Sequence, residues 1–223
     1  MLEIISIIKS FKERKVLKDV TLKIASEIKV IIGLNGSGKS TLLRIIAGII
    51  KPDKGQIIIN GQDVTMLPPE HREVGYVPQR TALFDHLTVK DNIMYPLKNG
   101  RGCEKTAERM IEMLGLKDYL HFKPRQLSGG YKSRASLARA LVSEPSVMLL
   151  DEPFSEIDVA SKEKLLPKFY EVLKSRNIPV LYVTHDVHEA ELIGDRFAVM
   201  TDGELIHIGS ASEAFEFIRG KIF

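Results

Sequence analysis

The sequence predicts an α/β fold: a core built on a parallel sheet, an N-terminal antiparallel β subdomain and a helical subdomain inserted at residues 88–140. Three observations carry that prediction. Short apolar or alternating runs fill the first third of the chain, the hydrophobic period then changes to the helical one, and two nearly continuous apolar runs that end in polar residues follow. The 223 residues read as a single domain, with 1–87 and 141–223 forming the core and its β portion and 88–140 the helical part.

Residues 2–8, 19–24 and 28–32 are strand-like, and "QIIINGQDV" is two runs about the Asn60-Gly61 turn. From Thr88 to Val142 the patterns are helical: Ala107, Met110, Ile111 and Leu114 fall at i, i+3, i+4 and i+7, and Gly115 sits where a C-cap belongs. "SVMLLD" and "PVLYVTHD" have the composition of strands buried on both faces of a parallel sheet. Between them a helix puts Leu165, Leu166, Phe169, Val172 and Leu173 on one side; Pro167 lies inside the pattern and is expected to kink that helix or mark an earlier break. "FAVMTDGELIHIG" reads as a hairpin and "SASEAFEFIRG" as a short closing helix.

Composition narrows the function classes. With 44% hydrophobic and 27% charged residues the chain is an ordinary globular sequence, and 32 basic against 29 acidic residues leave no basic block that would mark a nucleic-acid surface. Nucleic acid is therefore not an expected partner. The single Cys103 rules out an internal disulfide and suits a reducing compartment. The start, "MLEIISIIKS", lacks the form of a cleavable leader, and no apolar run reaches the ~18 residues of a membrane helix. The expectation is a cytoplasmic protein that does not itself span a bilayer.

The strongest chemical signal is "GLNGSGKST", Gly33 to Thr41, which matches G-x-x-x-x-G-K-[ST] between an apolar strand and the start of a helix. A P-loop of this kind turns the N–H groups of Asn35, Gly36, Ser37, Gly38 and their neighbours around a β-phosphate. Lys39 sets a cation against the β and γ oxygens, and Ser40 offers a hydroxyl to Mg²⁺. Asp151, at the end of "VMLLD", stands where an open α/β sheet gathers ligands and is placed to hold the metal, through water. Glu152, one residue on, is the expected general base for attack by water on a phosphoryl group, and His185 after "YVT" is a candidate contact to the γ-phosphate from a neighbouring strand end. A second anion site is foreshadowed by "RQLSGGYKSR". There Ser128, Gly129 and Gly130 precede an apolar helical stretch, Ala135, Leu137, Ala138, Leu141 and Val142.

With "LSGGYKSR" beside "GLNGSGKST", "VMLLDEP" and "VTHD", in that order and separation, the chain resembles the nucleotide-binding subunit of an ATP-binding-cassette transporter over nearly its whole length. The resemblance implies an ATPase that uses ATP and Mg²⁺, with Phe11 against the adenine and Gln79, in "VGYVPQ", reaching Mg²⁺ and joining core to helical lobe. It also implies a head-to-tail dimer with a second copy, in which Ser128, Gly129 and Gly130 cover the γ-phosphate held by the other chain's Lys39, and "SEID", residues 155–158, crosses between subunits. Integral permease subunits, and a substrate-binding protein acting through them, are implied as partners, at the cytoplasmic face of the membrane. Tyr131, Ser133, Glu156 and Ser26 depart from the usual pattern, and Glu156 adds a negative charge near the subunit interface.

The stretch "LPPEHREVGYVPQRTALFDHLTVKDNI" is similar to importer subunits for molybdate, tungstate or sulfate, and also to those for polyamines and some sugars. Relatives of that kind often carry a regulatory domain after the cassette, and with the sequence ending near Phe223 such a domain is not expected. An exporter subunit, a soluble cassette ATPase of DNA repair or translation, and a P-loop kinase remain as other readings. The kinase leaves the Ser128 motif without a purpose.

Overall fold

The computed structural model describes residues 1–222, with side chains through residue 220; Phe223, the last residue of the predicted core segment, lies outside the described residues. Among the described residues, ten strands form two sheets. β1 (Leu2–Phe11), β2 (Arg14–Ile24), β4 (Lys54–Ile59) and β5 (Gln62–Asp63) make an antiparallel sheet in the order β2-β1-β4-β5. The second sheet runs β10-β9-β3-β8-β7-β6, from β3 (Ile28–Ile32), β6 (Val74–Val77), β7 (Val147–Asp151), β8 (Val180–Val183), β9 (Arg196–Thr201) and β10 (Glu204–Ile208). All its neighbours are parallel except the terminal β9-β10 hairpin.

Strand parity explains how this sheet serves two cores. Ile28, Val30 and Ile32 of β3, Met148 and Leu150 of β7, and Val180 and Tyr182 of β8 point to one face, where the later helices pack. The intervening Ile31, Val147, Leu149, Leu181 and Val183 point to the other, against α1 (Lys39–Ile46) and the antiparallel sheet. Both faces are covered, so the strands are apolar at nearly every position, with Lys29 in β3 and Asp151 at the end of β7 as the exceptions.

The inserted segment forms α2 (Val89–Lys98), α3 (Glu104–Met113) and α4 (Gly129–Val142). Thr88 caps α2 by accepting from the Asp91 N–H at 3.1 Å, and Ala107, Met110, Ala135, Leu137, Ala138 and Leu141 are buried between these helices and the core. Gly115, two residues past α3, takes a positive φ of 63°, and the following Leu116 N–H bonds back to Ile111 at 2.9 Å, a Schellman-type ending. After β7 come α5 (Val159–Arg176), α6 (Val187–Ile193) and α7 (Ala211–Ile222).

Pro167 does not break its helix: α5 runs unbroken through it. The proline is on the exposed side, while Leu165, Leu166, Phe169, Val172 and Leu173 bury the opposite stripe, so packing outweighs the missing backbone hydrogen bond. The first two strands are longer than their apolar runs predict. Register shifts between Ile4 and Ile7 and again before Ser10, with Ser6 at a φ of 50°, disturb the period-two pattern on which the sequence reading relies.

Candidate active site

Because β3, β8, β7 and β6 are adjacent and parallel, their carboxyl ends lie side by side at one edge. Each delivers one part of the site: residues 33–38 after β3, Thr184 and His185 after β8, Asp151 and Glu152 at the end of β7, and Gln79 shortly after β6.

The loop after β3 runs directly into α1. Gly38, its last residue, has a φ of 111°, and a Cβ there would come within 2.8 Å of Leu17 and 2.9 Å of the Val16 carbonyl, so the tight turn requires glycine. Lys39 is buried and its ammonium donates to the carbonyls of Gly33 at 2.6 Å and Leu34 at 2.8 Å. Burial lowers its pKa, and the nearby carboxylates of Glu152 and Asp151 pull the other way. Ser37 is also buried, and its hydroxyl has no hydrogen-bond partner.

Asp151 is 2% exposed. Burial raises its pKa, opposed by a side-chain hydrogen bond with Ser40 and by the charges of Lys39 and Arg44. Glu152 leaves the strand with a φ of 49°, a left-handed conformation that costs a non-glycine residue about 1–3 kcal/mol and turns its carboxylate away from the strand line. One oxygen, Oε2, accepts from Gln79 Nε2 at 3.2 Å and lies 3.0 Å from His185 Nδ1. Two strand ends thus meet on a single carboxylate.

A cavity of about 400 Å³ is lined by Phe11, Asn35, Gly36, Gly38, Lys39, Ser40, Thr41, Gln79 and Glu152. Gln79 also lines a neighbouring cavity of about 430 Å³, together with Asp151, Arg44, Tyr76 and Arg139; neither Asp151 nor His185 lines the Lys39 cavity. Phe11, 46% exposed, ends β1 at the rim, with the Lys9 ammonium 5.4 Å from its ring centroid. Beyond Gln79 the chain enters the helical subdomain, and Arg139 of α4 donates to the Ala82 carbonyl at 2.6 Å, which ties that passage down.

Ser128, Gly129 and Gly130 are not among the residues lining the Lys39 cavity of the same chain. Ser128 is the N-cap of α4, without a side-chain cap, and the next two residues begin the helix. Glu156 packs on this end: a Cβ on Gly129 would lie 2.6 Å from its Oε2, and one on Gly130 would lie 3.2 Å from its carbonyl oxygen. Arg14 also lines the Lys39 cavity, opposite Phe11 in the β1-β2 register, and reaches the Gly36 carbonyl at 3.5 Å. Sequence reasoning missed it, since only the tight turn at Lys12 and Glu13 brings it back to Phe11.

The family model for ABC transporters matches residues 17–155. The chain belongs to the ABC transporter family. Among its relatives in that family, the molybdate/tungstate import ATP-binding protein of Pyrococcus abyssi is 45% identical over 220 residues; the match covers 96% of this chain but only 64% of that protein. The protein of the same name from Archaeoglobus fulgidus is 42% identical, covering 92% of this chain and 86% of the relative. A spermidine/putrescine import ATP-binding protein of Fusobacterium nucleatum is 40% identical, with 96% and 58% covered. A solved dimeric structure of a post-hydrolysis state of an ATP-binding cassette, bound to ADP and Pi, superposes with a TM-score of 0.86 at 31% identity, covering 95% of this chain and 99% of that one. These matches agree with the two-sheet ABC architecture described above.

Proposed function

We propose that this chain hydrolyses ATP to drive a membrane importer, working as one half of a head-to-tail dimer. The observation that carries the reading is the shared carboxylate: Glu152 Oε2 sits 3.0 Å from His185 and 3.2 Å from Gln79, beside the Lys39 loop. The phosphates of ATP enter the amide-lined turn after β3, and the adenine stacks on Phe11. Lys39 exchanges its bonds to the Gly33 and Leu34 carbonyls for phosphate oxygens.

The donor set fits Mg²⁺. Ser40 lies close enough to the buried Asp151 to stabilise its carboxylate, and with the Gln79 amide oxygen they offer the hard oxygen ligands this ion prefers, few in number because phosphates and water complete its shell. When bound there, Mg²⁺ would neutralise charge on the β- and γ-phosphates. Glu152 takes the proton of the attacking water as a bond forms from its oxygen to the γ-phosphorus and the bond to the β–γ bridging oxygen breaks. His185 steadies the γ-phosphate oxygens as charge shifts toward the leaving ADP.

Ser128, Gly129 and Gly130 from the second copy close over the γ-phosphate, where the amide end of α4 attracts an anion. Their absence from the cavity lining of their own chain supports this, as does the dimeric state of a solved relative. Integral permease subunits, working with a substrate-binding protein, receive the motion at the cytoplasmic face of the membrane. Among the described residues no helix is long and apolar enough to cross it.

The names of the Pyrococcus and Archaeoglobus relatives support molybdate or tungstate as the cargo; sulfate is the related oxyanion, and the Fusobacterium relative keeps polyamines as the alternative. Glu152→Gln tests the chemistry. Hydrolysis should fall by roughly a hundred- to ten-thousand-fold while ATP still binds and dimers accumulate. Turnover at the wild-type rate would reject Glu152 as the base. In vesicles holding the permease and binding protein, molybdate or tungstate should stimulate hydrolysis, whereas stimulation by spermidine instead would move the assignment to polyamines.

A further inference from the structure

We infer that Lys162 and Glu189 form a buried clamp that positions His185 against Glu152 and connects it to the loop at residues 155–158; this rests on the hydrolytic reading of His185. The His185 ring cannot hold itself in place: its side chain is 68% exposed, and its contact is with Glu152. Its placement depends on the backbone on either side.

Both neighbours are pinned. Thr184 donates its hydroxyl to Glu189 Oε2 at 2.8 Å, and the same hydroxyl accepts the Asp186 N–H at 3.0 Å. Asp186 in turn caps α6 by accepting from the Glu189 N–H at 3.1 Å. Lys162, reaching across from α5, bridges the two acids at 3.0 Å to Asp186 and 2.7 Å to Glu189. The hydroxyl of Tyr182, wholly buried in β8, donates to Glu189 at 2.9 Å. Glu189 is 2% exposed, so without its cation it would be an uncompensated buried carboxylate. Burial works against the charge of Lys162, but its hydrogen bonds to Glu189 and Asp186 prevail and hold its pKa above the usual lysine value.

Lys162 also has a second allegiance. Its N–H bonds to the Asp158 carbonyl at 2.8 Å, in the first turn of α5, and Asp158 caps that helix by accepting from Ser161 at 2.9 Å. A shift of residues 155–158 when the second subunit docks therefore reaches the residues beside His185 through one helical turn and one side chain. Lys162 and Glu189 are positioning residues; neither lines the Lys39 cavity.

The test is a mutant cycle on ATP hydrolysis by the purified chain. Lys162→Met should lower kcat by about ten- to a hundredfold with KM for ATP within about twofold, and Lys162→Arg should keep most of the wild-type rate. In a His185→Ala background, Lys162→Met should cost little more, because the clamp acts through the missing ring. Should Lys162→Met fail to fold, Glu189→Gln, which keeps the bonds from Tyr182 and Thr184, should still lower kcat with KM held. A folded Lys162→Met or Glu189→Gln protein with wild-type kcat, or a full additive loss on top of His185→Ala, would overturn the clamp. Failure of the underlying reading looks different, since Glu152→Gln and His185→Ala would then turn over at the wild-type rate.

Discussion

Asp151 shows at the scale of one residue how the proposed function opposes stability. Burial raises its pKa above that of an unfolded aspartate, so its folded state is relatively favoured below about pH 4 and bears the full cost of the buried charge once pH has risen through the folded value. At neutral pH, without nucleotide, Asp151→Asn should therefore raise the melting temperature by about 2–4 °C, on the scale of one kcal/mol, while metal-dependent hydrolysis is lost. Differential scanning calorimetry decides it, and a lowered melting temperature would mean that the carboxylate's bonds outweigh its burial. Glu152 carries a comparable burden as backbone strain, visible in its φ of 49°. Sequence could nominate both carboxylates from their place after an apolar run. It could not reveal that Glu152 is shared by His185 and Gln79, because those contacts join positions far apart in the chain.

Among the elements, α5 and the β9-β10 hairpin each allow a measurement. Pro167 stands exposed inside an unbroken helix. Replacing it by alanine restores a backbone donor and helical propensity, against some gain in unfolded-chain freedom, so Pro167→Ala should add about 1–3 kcal/mol to the urea-unfolding free energy. A loss of stability would show that the ring packs against something a methyl cannot replace. In β10, burial and then the Lys29 ammonium, 3.2 Å away, hold the His207 pKa below its ordinary 6.5. A base whose folded pKa is depressed takes up its proton more readily when unfolded, so stability is complete above about pH 6.5 and falls as pH drops below it. Denaturant midpoints at pH 7.5 and 5.5 should differ by less in His207→Gln than in wild type. The helical period made α3 and the α4 interior readable, and the double-faced apolar strands did the same for β7 and β8. Bulges hid the ends of β1 and β2, and in β6, VGYV, Gly75 interrupts the apolar run that made β8 legible at the same length.

For the whole molecule, the question is whether one chain is a complete enzyme. The proposed dimer predicts complementation. Ser128→Arg mixed with Lys39→Ala should yield one composite site free of both defects, and so more hydrolysis than either protein alone. No gain on mixing would argue that Ser128 serves its own chain. Glu156, resting on the amide end of α4 where the proposed γ-phosphate arrives, has to move aside when such a dimer closes. Taken alone, the sequence determined the nucleotide loop, the paired carboxylates, the Ser128 motif and the α/β class, because each depends on local spacing and on apolar periods a few residues long. Only the tertiary structure decided that four strand ends converge, that Arg14 joins Phe11, and that Lys162 and Glu189 grip both sides of His185. These juxtapositions depend on sheet order and helix packing, in which residues meet through space and leave no periodic trace along the chain.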